Sequence, residues 1–162
     1  MVKINWIIII IVTIFMGCKS TQVEETPVDY KAIQEEENKL FPKSWEGRYL
    51  GTLEIFSVGK SKPQEVEMEL IIEQVGLDLD KWEWKIIYGE NKIKGMREYQ
   101  LIEKDKAKGE YIIDERNSIL LDAQFINGEL FSRFSVMGNL ILATYRKEGE
   151  YIYFEILSGN VK

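Results

Sequence analysis

From Phe41 onward the chain alternates apolar and polar residues with a period of two, and glycines at 59, 76, 89, 109, 128, 138, 149 and 159 break that alternation at short intervals. Such alternation sends successive side chains of an extended strand to opposite faces, one buried and one wet. The clearest stretch is Glu65 to Gln74, where Val66, Met68, Leu70 and Ile72 alternate with Glu65, Glu67, Glu69, Ile71 and Glu73. Lys81 to Tyr88 repeats it, with Trp82, Trp84, Ile86 and Tyr88 on one side. A hairpin through Gly76-Leu77-Asp78-Leu79-Asp80 stacks the two apolar faces. Further segments read as strands: Trp45 to Val58, Ile93 to Glu103, Glu110 to Asp114, Ser118 to Phe125, Glu129 to Met137, Leu140 to Arg146 and Glu150 to Ser158. Asn127-Gly128 and Gly138-Asn139 read as two-residue hairpin turns, because both pairs reach positive φ cheaply. No connection has room for a crossover helix, so the fold class is all-β and the predicted topology an antiparallel up-and-down meander.

A meander of about 8–10 strands with one apolar face either closes into a barrel or folds over as a sandwich. The long first strand and uniformly short turns favour closure, which removes exposed edges. The interior of such a barrel is filled by side chains or holds one small ligand.

Ahead of this region the texture differs. Residues 1 to 18 give a short basic start, the apolar run Ile7 to Val12, then small Gly17 before Cys18. That is the plan of a secretory signal peptide. A membrane-spanning helix is the competing reading, but the 13 residues from Ile4 to Met16 reach only about 20 Å against a hydrocarbon core of about 30 Å. The tetrapeptide Phe15-Met16-Gly17-Cys18 resembles the lipobox of bacterial lipoproteins. The resemblance implies removal of residues 1–17, lipidation of Cys18 with diacylglycerol and palmitate-type chains, and a membrane as partner. One acyl chain binds a bilayer marginally, whereas two or three hold a soluble domain on it. Lys19 stands where an aspartate would favour inner-membrane retention. The resemblance therefore implies the outer membrane of a cell envelope, with the periplasmic and surface-facing leaflets both open. Residues 18–40 are rich in acids and read as a tether, with Asp29 placed to cap a short helix.

Composition removes whole function classes. Cys18 is the single cysteine, so no disulfide framework forms within the chain. The absence of histidine excludes Ser-His-Asp and Cys-His triads, the usual zinc sites and a histidine-ligated haem. A formal charge of -6 without clustered cations argues against nucleic acid. No residue set is spaced for catalysis, and the expectation is a non-enzyme with no cofactor and no metal.

Trp45-Glu46-Gly47-Arg48-Tyr49 in the first strand, followed by a meander of this size, resembles the lipocalin-like, or calycin-type, lipoproteins of bacterial envelopes. The likeness covers residues 45 to 158 as a pattern and implies a lipocalin-like barrel over residues 41–162. The missing histidine separates it from haem-binding barrels of similar outline.

Within that barrel Trp45, Tyr49, Trp82, Trp84, Tyr88 and Tyr99 are either core or cavity lining. Alternation puts Arg97 on the inward face with Tyr99 and Leu101. A buried guanidinium needs an anionic partner, either an internal carboxylate or that of a ligand. Asp114-Glu115-Arg116-Asn117-Ser118 reads as a turn, since neighbouring carboxylates on a strand point to opposite faces. Asp78 and Asp80 lack the further oxygen ligands of a calcium loop. Glu65, Glu67, Glu69 and Glu73 read as a solvated strand face. The expected function is a membrane-anchored lipoprotein whose barrel binds a small apolar or amphipathic ligand, lined by Trp82, Trp84, Arg97 and Tyr99. The alternative is a non-enzymatic envelope scaffold with a packed core, acting through an unidentified protein partner.

Overall fold

Every turn between residues 47 and 160 is too short to carry a strand past its neighbour, and the sheet has the order this dictates. The computed structural model describes residues 29–160. The Cys18 and residue 1–17 expectations lie outside them. Helix α1 (Tyr30–Lys39) and a 3-10 turn (Lys43–Trp45) precede β1 (Gly47–Ile55), β2 (Gln64–Gln74) and β3 (Lys81–Tyr88). A single helical turn, α2 (Lys92–Gly95), leads into β4 (Met96–Asp105) and β5 (Glu110–Asp114). The chain then runs through β6 (Leu120–Ile126), β7 (Glu129–Val136), β8 (Asn139–Glu148) and β9 (Tyr151–Asn160). All pairings are antiparallel between sequential neighbours, and the nine-stranded sheet curls into a nearly closed barrel.

Asp29 Oδ1 accepts hydrogen bonds from the backbone N–H groups of Lys31 and Ala32, satisfying donors that the first turn of α1 leaves free. The chain then enters the barrel at one end. Trp45, expected at the head of the first strand, instead lies in the 3-10 turn with its ring fully buried. Phe41 stacks face to face on Phe125 at 3.9 Å and meets Trp45 and Tyr111 edge-on at 4.8 and 5.1 Å. The aromatic run continues from Trp45 to Trp84 at 6.4 Å, to Tyr145 at 5.2 Å, and to Phe154 at 4.5 Å. Rings from the entry segment, β3, β6, β8 and β9 thus plug this end. Edge-to-face and offset pairs of this kind add about 0.5–1.5 kcal/mol each beyond area burial.

Two turns differ instructively. Asn127-Gly128 links β6 to β7 as expected, with φ of 51° and 81°. The next hairpin turns one residue earlier than Gly138-Asn139: Met137 and Gly138 form it, with φ of 49° and 78°. Register explains the shift. Pairing Val136 with Asn139 keeps Leu130, Ser132 and Phe134 facing Tyr145, Ala143 and Ile141 on the inner side, and a slip by one would turn them outward.

Nine is an odd number, so β1 and β9 run in the same direction and cannot close the ring by the antiparallel pairing used elsewhere. Among the described residues no ladder joins them. A seam remains there, with a cavity of about 120 Å³ lined by Tyr49, Leu53, Met68, Leu70, Ile152 and Phe154.

Candidate functional site at the open end

The barrel has two unlike ends. The turns β2–β3, β4–β5, β6–β7 and β8–β9 lie with α1 at the plugged end, and β1–β2, β3–β4, β5–β6 and β7–β8 lie at the other. Register assigns inward faces along each strand: Tyr88 pairs with Met68, Tyr99 with Trp84, Arg97 with Ile86, Phe134 with Ile141, and Ile156 with Ala143. Toward the plug these inner residues are sealed, as at Trp82, Trp84, Leu101 and Leu130. Toward the opposite end they are not. Tyr88, Tyr99, Phe134 and Ile141 are only half-buried, and inward Val136 and Ile156 are exposed.

The residues expected to line a pocket therefore separate by burial, even where they are direct cross-strand partners. Trp82 and Trp84 lie in the packed core, whereas Tyr99 stands at the boundary between core and mouth. Arg97 follows on the same face but extends into solvent, where its Nη1 donates to the carbonyls of Lys94 and Met96 at 3.2 and 2.9 Å. Its inward register does not bury it: its cross-strand partner Ile86 is sealed, but Arg97 is the second residue of β4 and its guanidinium turns to the main chain at the start of the strand. Tyr88 was legible as part of the aromatic alternation, and it joins Tyr99 at the mouth. Nothing local distinguishes Phe134, Ile141 and Ile156 from ordinary core.

Burial governs the phenols. It pushes Tyr88 up to about 12, with Tyr99 adding to the rise and Arg97 opposing it. Burial also raises Tyr99, with Glu115 adding and Arg97 opposing. Both are neutral hydroxyls at physiological pH. Such phenols donate to or accept from a polar head group, and their rings offer apolar surface. Beside them a broad depression of about 1020 Å³ is lined by Ile93, Met96, Arg97, Tyr99, Glu115 and Arg116. Asp114 and Asn117 build the turn at its edge, accepting from the backbone N–H groups of Arg116 and Ile119.

Deeper in, the indole N–H groups of Trp45 and Trp82 are buried without a hydrogen-bond acceptor among the described residues. The Trp84 N–H lies close enough to the Tyr145 phenol to oppose the rise that burial imposes on it, although it lacks hydrogen-bond geometry. These donors are surrounded by rings and aliphatic groups of the core.

On the outer wall, Glu69 departs from the solvated ladder expected of its strand. It is covered by Arg48 from β1 and Lys92 from α2, whose Nζ lies at 3.3 Å. The Arg48 hydrogen bond holds its carboxyl below the usual range against the opposing effect of burial, and Lys92 adds to the lowering. Lys85 and Lys81 on the neighbouring strand face Glu98 and Asp78.

No family model, curated protein or solved structure matches the chain, so its chemistry is read from its own residues.

Proposed function

We propose that this is a lipid-anchored envelope protein whose barrel receives the apolar part of a small amphipathic ligand through its open end. One observation carries the ligand reading: the inward faces of the strands are sealed by aromatics at one end and remain accessible at the other, where Tyr88, Tyr99 and Arg97 stand. In that arrangement Phe134, Ile141 and Ile156 contact the apolar portion, the two phenols hydrogen-bond a head group, and the Arg97 guanidinium attracts a carboxylate or phosphate. The anchor reading is supported by the sequence Phe15-Met16-Gly17-Cys18 and the acids that follow. The outer membrane is the proposed location.

The test is mass spectrometry of lipids carried by the full chain purified from membranes, alongside a Tyr99→Ala, Arg97→Ala pair. A stoichiometric amphiphile lost in the double variant is the expected result; a wild-type protein carrying none overturns the reading. Cys18→Ala is expected to abolish acyl labelling and release the protein from membranes, and persistent labelling would refute the anchor.

A second reading, a non-enzymatic envelope scaffold, is favoured by the seam. Its cavity of about 120 Å³ falls below the ~300 Å³ at which ligand pockets begin, and its two edges, unpaired among the described residues, can accept a partner strand. Crosslinking in cells from residues on β1 and β9 distinguishes the two readings.

A further inference from the structure

The four turns at the open end carry an unusual pair of properties. Each presents exposed apolar side chains: Phe56 and Val58 in the first, Ile93 in the second, Ile119 and Leu120 in the third, Val136 and Met137 in the fourth. The tips are bare, with Val58, Ile93 and Met137 exposed at 107%, 89% and 97%. The connections 56–63, 89–95, 115–119 and 137–138 also hold five cations against two acids, Glu90 and Glu115, in a chain of formal charge -6.

Pairing sharpens the contrast. Among the described residues, Lys60, Lys62, Lys94 and Arg97 have no carboxylate within ion-pair distance, while Lys92 is engaged by Glu69 and Arg116 lies 3.5 Å from Glu83. At the plugged end Lys39, Lys43, Lys81 and Lys108 each hold an acid. Apolar tips occur there too, at Leu77 and Leu79, but they alternate with Asp78 and Asp80. The plugged-end connections 75–80, 106–109, 127–128 and 149–150 hold two cations against three acids, the opposite balance to the open end.

Met137 supplies an independent sign. It occupies the first position of the β7–β8 turn at φ 49°, a left-handed conformation that disfavours most side chains by about 1–2 kcal/mol and suits Asn or Gly. A large apolar residue is thus held at the tip against local preference, projecting into solvent. Strain at an exposed position points to a contact made outside the fold.

We propose that this apolar, basic rim docks on a bilayer containing anionic phospholipid, inserting Val58, Ile93 and Met137 among the head groups while Lys60, Lys62 and Lys94 contact phosphate. Exposed apolar tips and cations at one surface are what interfacial binding requires. Docking turns the accessible mouth toward the lipid phase. The proposal does not depend on a ligand being carried, and its test reads position rather than cargo.

The experiment uses the full chain purified from membranes and reconstituted into vesicles of phosphatidylcholine with or without phosphatidylglycerol, with brominated acyl chains as quencher. Met137→Trp, with Val58→Trp as a second probe, is compared with Leu77→Trp at the opposite end, all carrying Trp6→Phe; Trp45, Trp82 and Trp84 then give a constant buried background. The expected result is quenching at 137 and 58, stronger with the anionic lipid, and none at 77. Lys60→Gln with Lys62→Gln is expected to lower the docking constant about fivefold per charge. Equal quenching at 77 and 137, or none at 58 and 137, overturns the proposal. So does protection of residue 137 from both bromolipid and aqueous iodide, which would assign the rim to a second protein copy.

Discussion

Phe41 and Phe125 lie with their rings parallel to within 1° and their centroids 3.9 Å apart, fastening the segment before β1 to the sixth strand. With Trp45 they form a lid over one end of the barrel, so removing a ring opens the core. Trp45→Ala is expected to destabilise the fold by about 3–5 kcal/mol, and Phe41→Ala by a similar amount. Urea unfolding followed by far-ultraviolet circular dichroism measures both. A loss below about 1 kcal/mol for either would show that the lid collapses onto the gap without consequence.

Glu69 sets the acid response. Arg48 and Lys92 hold its folded-state carboxyl below the ordinary value of 4.5, so its contribution is present above that value and is lost as pH falls through the lowered one. Both cations are solvent-exposed, and screening limits each pair to at most about 1 kcal/mol. Glu69→Gln is expected to lower stability at pH 7 and to flatten the decline between pH 4.5 and the lowered folded-state value. An unchanged acid limb in denaturant titrations at graded pH would contradict this assignment.

The tyrosines govern the alkaline limb with the opposite sign. A phenol whose folded pKa is raised favours the fold below its unfolded value of 10.0, and that support is lost as pH rises through the folded one. Ultraviolet difference titration should find Tyr88 ionising near 12, and Tyr111 and Tyr145, which burial raises further, ionising only as the barrel opens. Tyr88→Phe removes the 12 step; a titration that keeps it would place that pKa on another residue.

Met137→Asn separates stability from surface chemistry. Asparagine suits the left-handed position, and the variant is expected to gain about 1 kcal/mol. Thermal unfolding reads that gain, while Lys60 and Lys62 keep the charge of the rim unaltered. A destabilised variant would mean that Met137 makes a contact within the fold.

Gly95 marks where α2 meets β3. A Cβ at this position would lie 1.8 Å from the backbone oxygen of Tyr88, and neither main chain can yield without displacing Arg97 or Tyr88. Gly95→Ala is expected to cost about 2–3 kcal/mol and to disturb the mouth, read as a changed Tyr88 titration. Wild-type stability in this variant would show that α2 is free to lift away.

The sequence by itself determined the strands, their order and the inner face of each, because alternation and turn length are local properties. Nine segments read from it correspond to β1–β9, and Asn127-Gly128 announces its own hairpin. Tertiary structure decided how deeply each inward residue is buried. Trp84 and Tyr99 are cross-strand partners on one inward face, yet the first is sealed in the core and the second stands at the mouth. Alternation has a period of two and carries no information about which end is plugged; that is settled when Phe41 and Trp45 fold in against Trp84 of β3, Tyr111 of β5 and Phe125 of β6. For the same reason Arg97 has an inward register and an exposed side chain, and Glu69 has an outward register and a covered one. A face is a property of the strand, whereas burial is a property of what the rest of the chain places over it.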